Sequence, residues 1–181
     1  MPASTPGRAG GMTPARIAQF VAIVLMWSTS WILIKVQLGA VNPTWSVGWR
    51  FLFGGLMLLA WCAWKGHGVR VPRAGWKFVL LLGLLQFVFN FNFVYRAEQH
   101  LTSGVVAAAY ALLMIPNAVL AAIFLKRRPT RRFVIGATLG VIGVGLLFSA
   151  EFSHTSLTGT AGIGVLFTVA GILSASSANI L

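Results

Sequence analysis

The chain has 181 residues, 57% of them hydrophobic and 9% charged, with a formal net charge of +12 from 14 Lys and Arg set against only Glu98 and Glu151. A soluble domain carries about 25% charged and about 45–50% apolar residues, so a water-soluble globule is excluded and a membrane protein is implied. The single cysteine, Cys62, excludes an intramolecular disulfide framework and a cysteine-based metal cluster.

A helix that crosses the hydrocarbon needs about 20 mainly apolar residues. The sequence supplies six such runs, at 17–38, 44–64, 76–97, 103–125, 133–150 and 161–181. Ahead of them, residues 1–16 are rich in Gly, Pro and Ala and read as a disordered tail. The first run follows Arg8 and Arg16 in the manner of a secretion signal, but about 18 apolar residues precede Lys35. That exceeds an h-region of about 7–15, and no small-x-small site follows, so the run reads as a retained helix. Asn42-Pro43 separates the first two runs, Lys65-Gly66-His67-Gly68 and Pro72 the next two, Arg128-Pro129 the fourth and fifth, and a Ser/Thr/Gly stretch at 153–160 the last two. No run alternates with period two, and all are longer than a barrel strand of about 9–11 residues, so the fold class is an all-α, polytopic helical membrane protein.

The charges alternate with the runs. Arg8 and Arg16 lie in the tail, Lys65, Arg70, Arg73 and Lys77 around the second joint, and Lys126, Arg127, Arg128, Arg131 and Arg132 around the fourth. Eleven of the 14 basic residues therefore share one side, leaving Lys35, Arg50 and Arg96 toward the other. The positive-inside rule puts the tail and these basic joints in the cytoplasm. Each basic residue beside an anionic leaflet is worth about 1 kcal/mol, which favours one topology. This placement explains the high charge without nucleic acid, because no basic segment is long enough to track a phosphate backbone.

The segments Met26-Trp27-Ser28-Thr29-Ser30 followed by Lys35, and Trp49-Arg50-Phe51-Leu52-Phe53-Gly54-Gly55, together with the run from Gly104 through Pro116 to Phe148, resemble the EamA repeat of the drug/metabolite transporter superfamily. The resemblance covers about 17–150, and 161–181 is similar to the first helix of a second repeat. It implies a five-helix EamA repeat over 17–150, then an outer joint and the first helix of an inverted, incomplete second repeat over 151–181. Transporters of this kind usually have ten helices, so a chain stopping in its sixth is expected to be truncated. In the joint after the fourth helix the family commonly has a Glu before its basic residue, where this chain has Lys126-Arg127-Arg128.

Depth selects candidate site residues. At about 1.5 Å rise per residue, Trp27, Gln86 and Met114 come out near the midplane, and Trp31, Arg50, Asn90 and Tyr110 about 9–10 Å below the outer surface. Aromatic rings beside a few polar groups suit small organic ligands, and inverted-repeat transporters bind substrate between repeats near the midplane. Each residue has a plainer reading: Arg50 as a snorkelling anchor, Gln86 and Asn90 as interhelical glue one turn apart, Trp27, Trp31 and Tyr110 as packing. Pro116 is expected to kink the fourth helix, as a fixed shape or a hinge. Gly136 and Gly140 form a GxxxG pattern for packing inside the repeat or for dimerisation.

No Ser/His/Asp constellation, P-loop or dinucleotide fingerprint is present, and His67, His100 and His154 lack metal-ligand spacing, so neither enzyme activity, cofactor nor metal is expected. The resemblance implies a secondary transporter, an exporter of small organic metabolites across the inner (plasma) membrane by alternating access, with the N-terminus cytoplasmic. Lys35, Arg50 and Arg96 outnumber Glu98 in the outer half, which favours anionic or zwitterionic substrates. The cavity would be completed by the missing second repeat or by a second copy in a homodimer. The competing reading is a truncated, non-transporting fragment or an accessory membrane subunit. On either reading the isolated sixth helix, whose small face carries Ala170, Ser174 and Ala178, is expected to be loosely held.

Overall fold

The computed structural model describes residues 13–39, 41–154 and 160–181, with main chain only at 151–154. Among the described residues there are six helices long and apolar enough to cross a membrane. They are α1 (Pro14–Gln37), α2 (Pro43–Trp64), α3 (Arg73–Ala97), α4 (Ser103–Phe124), α5 (Arg131–His154) and α6 (Thr160–Ile180). The described residues contain no strand.

Local chemistry sets the helix ends. Thr13 caps α1 by accepting from the Arg16 amide at 3.4 Å, and Asn42 caps α2 by accepting from the Thr44 amide at 3.0 Å. Each cap is followed by a proline at the first helical position, where a missing N–H costs nothing. Pro14–Arg16 are therefore helical rather than part of the expected tail, whose residues up to Met12 lie outside the described residues. After α2 the chain turns through Gly66 at φ 71°, a conformation that favours glycine. Thr130 receives the Phe133 amide at 3.2 Å as α5 begins.

Two helices change geometry midway. In α3 a 3₁₀ turn, Arg73–Gly75, leads into α-helix over Trp76–Gly83, π-helix over Leu84–Asn90, and α-helix again over Phe91–Ala97. The Ser174 hydroxyl of α6 donates to the Leu85 carbonyl at 2.8 Å inside the π segment, a side chain inserted into the helical ladder. In α4 a 3₁₀ turn, Ala111–Leu113, interrupts the α-helix. It coincides with Leu112, the residue four before Pro116, where the pyrrolidine ring displaces the carbonyl.

The sixth helix is the best packed of all. It lies against both α3 and α4, and Ala161, Gly164, Thr168, Gly171, Ser174, Ala175, Ser176 and Ala178 are buried. This overturns the expectation of a loosely held helix. In lipid, association depends on close van der Waals packing and interhelical hydrogen bonds, and small side chains allow it. A Cβ at Gly164 would lie 2.8 Å from Leu101 Cγ, and one at Gly171 would collide with the Tyr110 hydroxyl. The GxxxG pair on α5 behaves otherwise. A Cβ at Gly140 would lie 3.5 Å from Leu112 Cδ2, while one at Gly136 would meet nothing within 4 Å, so the pattern does not pack as a unit within the chain.

Candidate functional site

The bundle is asymmetric along its length. At the end carrying Glu98, Ile34, Val47, Val94 and Tyr95 form one buried cluster and Ala97, Leu101, Val106 and Ala161 another. The Lys35 ammonium donates to the Glu98 carbonyl at 2.6 Å and the Leu101 carbonyl at 3.4 Å, tying α1 to the α3–α4 turn. Tyr95 donates to Gln37 Oε1 at 2.9 Å. At the other end, which carries the basic joints, α1 stands away from its neighbours, and every residue from Thr13 to Thr29 is exposed.

Beneath the closed end lies a cavity of about 350 Å³ between α1, α2, α3, α4 and α6. Six of the seven residues singled out by depth line it: Trp27, Trp31, Arg50, Gln86, Asn90 and Tyr110. Trp27 sits at the edge, 68% exposed, whereas Asn90 is buried. Tyr110 donates to Asn90 Oδ1 at 2.8 Å, and its ring meets Trp31 edge-on at 5.6 Å between centroids. The Gln86 carboxamide oxygen is buried without a hydrogen-bond partner.

Arg50 is held by neutral groups. Its guanidinium donates to the Ser30 hydroxyl at 3.2 Å and to the Tyr95 hydroxyl at 3.5 Å. It also lies 5.7 Å from the Phe91 ring centroid and 6.0 Å from that of Phe51. Glu98, the sole acid among the described side chains, is engaged elsewhere, accepting from the Ser103 hydroxyl at 2.6 Å. The cavity thus presents a cation stabilised by hydroxyls and aromatic faces, with its charge unneutralised by any carboxylate among the described residues.

Met114 is not among the lining residues and is 49% exposed, so its expected place in the cavity is corrected. Depth fixes height but not direction, and Leu113, one residue earlier, occupies the wall instead. Ser30 and Asn179 also line the cavity, although a count of depth does not select them. Ser30 carries a usable signal, one turn before Ile34 on the Trp27 side of α1. Asn179 has none, because its place depends on α6 docking between α3 and α4.

The sequence pattern of the EamA-like transporter family matches residues 16–149. The chain belongs to the EamA-like transporter family. Among curated relatives, the protein PagO of Salmonella typhimurium is 23% identical over 140 residues, 76% of this chain and 45% of its own length. The uncharacterized transporter YvbV of Bacillus subtilis is 28% identical over 153 residues, 84% of this chain and 48% of its own. The uncharacterized inner membrane transporter YedA of Escherichia coli is 27% identical over 130 residues, 71% of this chain and 42% of its own. The EamA-family chain therefore spans about half the length of the curated relatives it matches. No solved structure matches it. Family and helices together make it an integral membrane protein.

Proposed function

We propose that this chain carries the substrate-binding half of a secondary transporter that exports small anionic or zwitterionic metabolites across the inner membrane. The observation that carries the reading is Arg50: a cavity-lining cation whose partners are all neutral. Holding such a charge within the bilayer is costly, and a substrate carboxylate would offset the cost. The unpartnered Gln86 oxygen adds an acceptor for a substrate ammonium or hydroxyl group. Trp27, Trp31 and Tyr110 supply the apolar wall on which an organic skeleton rests.

In this reading 17–150 is one five-helix repeat and α6 opens an inverted second one. Five crossings before it make α6 run opposite to α1, and Ala175 and Asn179 bring it into the cavity wall. The remaining wall is supplied by further helices or by a second copy. The basic joints face the cytoplasm by the positive-inside rule, so the cavity is closed toward the outside. Cysteines placed at positions 68 and 156 are expected to label from opposite sides; labelling from one side would overturn this orientation.

The test of the site is binding to reconstituted protein of three compounds sharing one apolar skeleton: a carboxylate, the corresponding α-amino acid and the corresponding amine. Quenching of tryptophan fluorescence reports occupancy. The first two are expected to bind and the amine to be excluded, with Arg50→Gln weakening the carboxylate at least about tenfold, or about 1.4 kcal/mol. Unchanged affinity and charge preference in a folded Arg50→Gln protein would make Arg50 an anchor and overturn the reading.

A further inference from the structure

The closed end of the bundle holds the one carboxyl side chain among the described residues. Glu98 is the capping residue just beyond the last residue of α3, Ala97, and is 0% exposed. Its Oε2 accepts from Ser103, but Oε1 is buried with no hydrogen-bond partner. An ionised carboxylate offers about four acceptor sites, and leaving them unmet away from water is expensive.

Each neighbouring element bears on this group in a definite way. From α1 comes Lys35, whose ammonium bonds the Glu98 and Leu101 main-chain carbonyls. On Glu98's own turn, Arg96 is exposed, and His100 stacks on Phe167 at 6.3 Å. Arg50 of α2 is engaged by Ser30 and Tyr95. Neither α4 nor α6 contains a charged residue, and the charged side chains described on α5 are Arg131 and Arg132, at the opposite end. Burial pushes the Glu98 carboxyl above the usual carboxylate range, outweighing the opposing effects of Ser103 and Lys35.

We propose that Glu98 is a proton-binding site that latches the closed end of the bundle. With the proton bound, the turn carrying Ala97 and Leu101 stays seated against Val106 and Ala161, and the cavity is sealed on that side. With the proton released, a buried charge facing an unmet Oε1 drives the turn outward, and α1 loses the carbonyls that Lys35 grips. The latching step rests on the cavity being the access route proposed above; the proton site does not.

The chain has only two acidic side chains, so infrared spectroscopy can isolate this one. In a Glu151→Gln background reconstituted in vesicles, a protonated-carboxyl band is expected to persist well above pH ~4.3, where a free Glu titrates, and to vanish in Glu98→Gln. Absence of the band above that pH overturns the proposal, and the wild-type titration alone decides this if Glu98→Gln fails to fold. The latch is read from Ala161→Cys in a Cys62→Ser chain, with an impermeant maleimide added on the closed side. Its rate is normalised to the exposed Val41→Cys, which cancels the thiol's own titration. The normalised rate is expected to rise at least tenfold as pH passes the infrared transition and to stay low throughout in Glu98→Gln. A pH-independent ratio overturns the proposal. Neither readout involves a transported compound, so failure here leaves the Arg50 test standing, and the reverse holds.

Discussion

At the Glu98 end, α1, α3, α4 and α6 meet through buried side chains and through hydrogen bonds that cross between helices. At the basic end, α1 is exposed from Thr13 to Thr29, and bulky residues such as Phe20 and Leu25 face outward. Both ends are apolar, so hydrophobicity does not explain the difference. Lipid tails are as apolar as leucine, and helices gain nothing by hiding from them. What separates the ends is whether small residues and polar groups meet partners on a neighbouring helix. α6 buries a face of such residues from Ala161 to Ala178; the first half of α1 also has small residues, Ala15, Ala18 and Ala22, but no described hydrogen bond ties it to a neighbouring helix, and it stands apart.

The sharpest way to break this contrast is to give α6 one methyl group where it packs most closely. Gly171→Ala places a Cβ against the Tyr110 hydroxyl, with Phe93 Cβ 3.3 Å away. Overpacking of this kind costs about 1–3 kcal/mol. It should also pull Tyr110 from Asn90 and reshape the cavity. Thermal unfolding in detergent measures the loss, and adding Tyr110→Phe, which deletes the colliding oxygen, should restore part of it. If Gly171→Ala unfolds like wild type, α6 does not pack this closely against Tyr110.

The same contrast explains which features are legible in the sequence. Each of the six helices falls within a few residues of its apolar run, because a run of about 20 apolar residues and a proline or Gly-rich joint are both local signals. Depth is legible too, since it follows from counting residues along a helix. Direction is not. A helix that is apolar all round gives no periodic cue to its packed face, and so a count of depth puts Met114 in a wall that Leu113 occupies. The π segment at Leu84–Asn90 carries no proline or glycine, and one of its supports, Ser174, lies 89 residues away from Leu85. The small face of α6 is visible as a pattern, but its partners are not, and the reading of that face as unpartnered fails for this reason.

A second strain on the closed end removes its cation. Lys35→Met deletes the bonds to the Glu98 and Leu101 carbonyls. Charged hydrogen bonds contribute about 1.5–3 kcal/mol, but the Lys35 side chain is largely exposed, so about 1 kcal/mol is expected in thermal unfolding. Lys35 also favours the ionised Glu98, so its loss should move the Glu98 titration further upward. The pH dependence has a definite sign. With its folded value above the unfolded one of about 4.3, Glu98 contributes stability that is fully present below that pH and is lost as pH rises through the folded value. The midpoint should therefore fall as pH rises through the infrared transition and stay flat there in Glu98→Gln. A midpoint that rises across the same window would mean the carboxylate is the stabilised form.

Smaller still is the effect expected from Ser174→Ala. The hydroxyl donates to Leu85, and side-chain hydrogen bonds between membrane helices average about 0.6 kcal/mol. The loss should be visible only against many repeats of the unfolding curve, and hydrogen exchange of the amides over Leu84–Asn90 is the better probe, since the π register loses one of its supports.

The smallest loss, none at all, is the one that tests the comparison most cleanly. Gly136 and Gly171 are both glycines in membrane helices, and a pattern-based argument would give Gly136 the greater weight because Gly140 completes its motif. The structure ranks them the other way: a Cβ at Gly136 meets nothing within 4 Å, whereas one at Gly171 meets Tyr110 and Phe93. Gly136→Ala should therefore leave the unfolding midpoint of the monomer unchanged or raise it slightly, because alanine restricts the unfolded chain and favours the helix by about 0.5–1 kcal/mol. The measurement is made at two protein concentrations in detergent. A loss at both would mean that α5 packs within the chain in a way the geometry excludes. A loss confined to the higher concentration would mean that Gly136 contacts a second copy, in which case the open face of α5 is closed by assembly rather than by lipid.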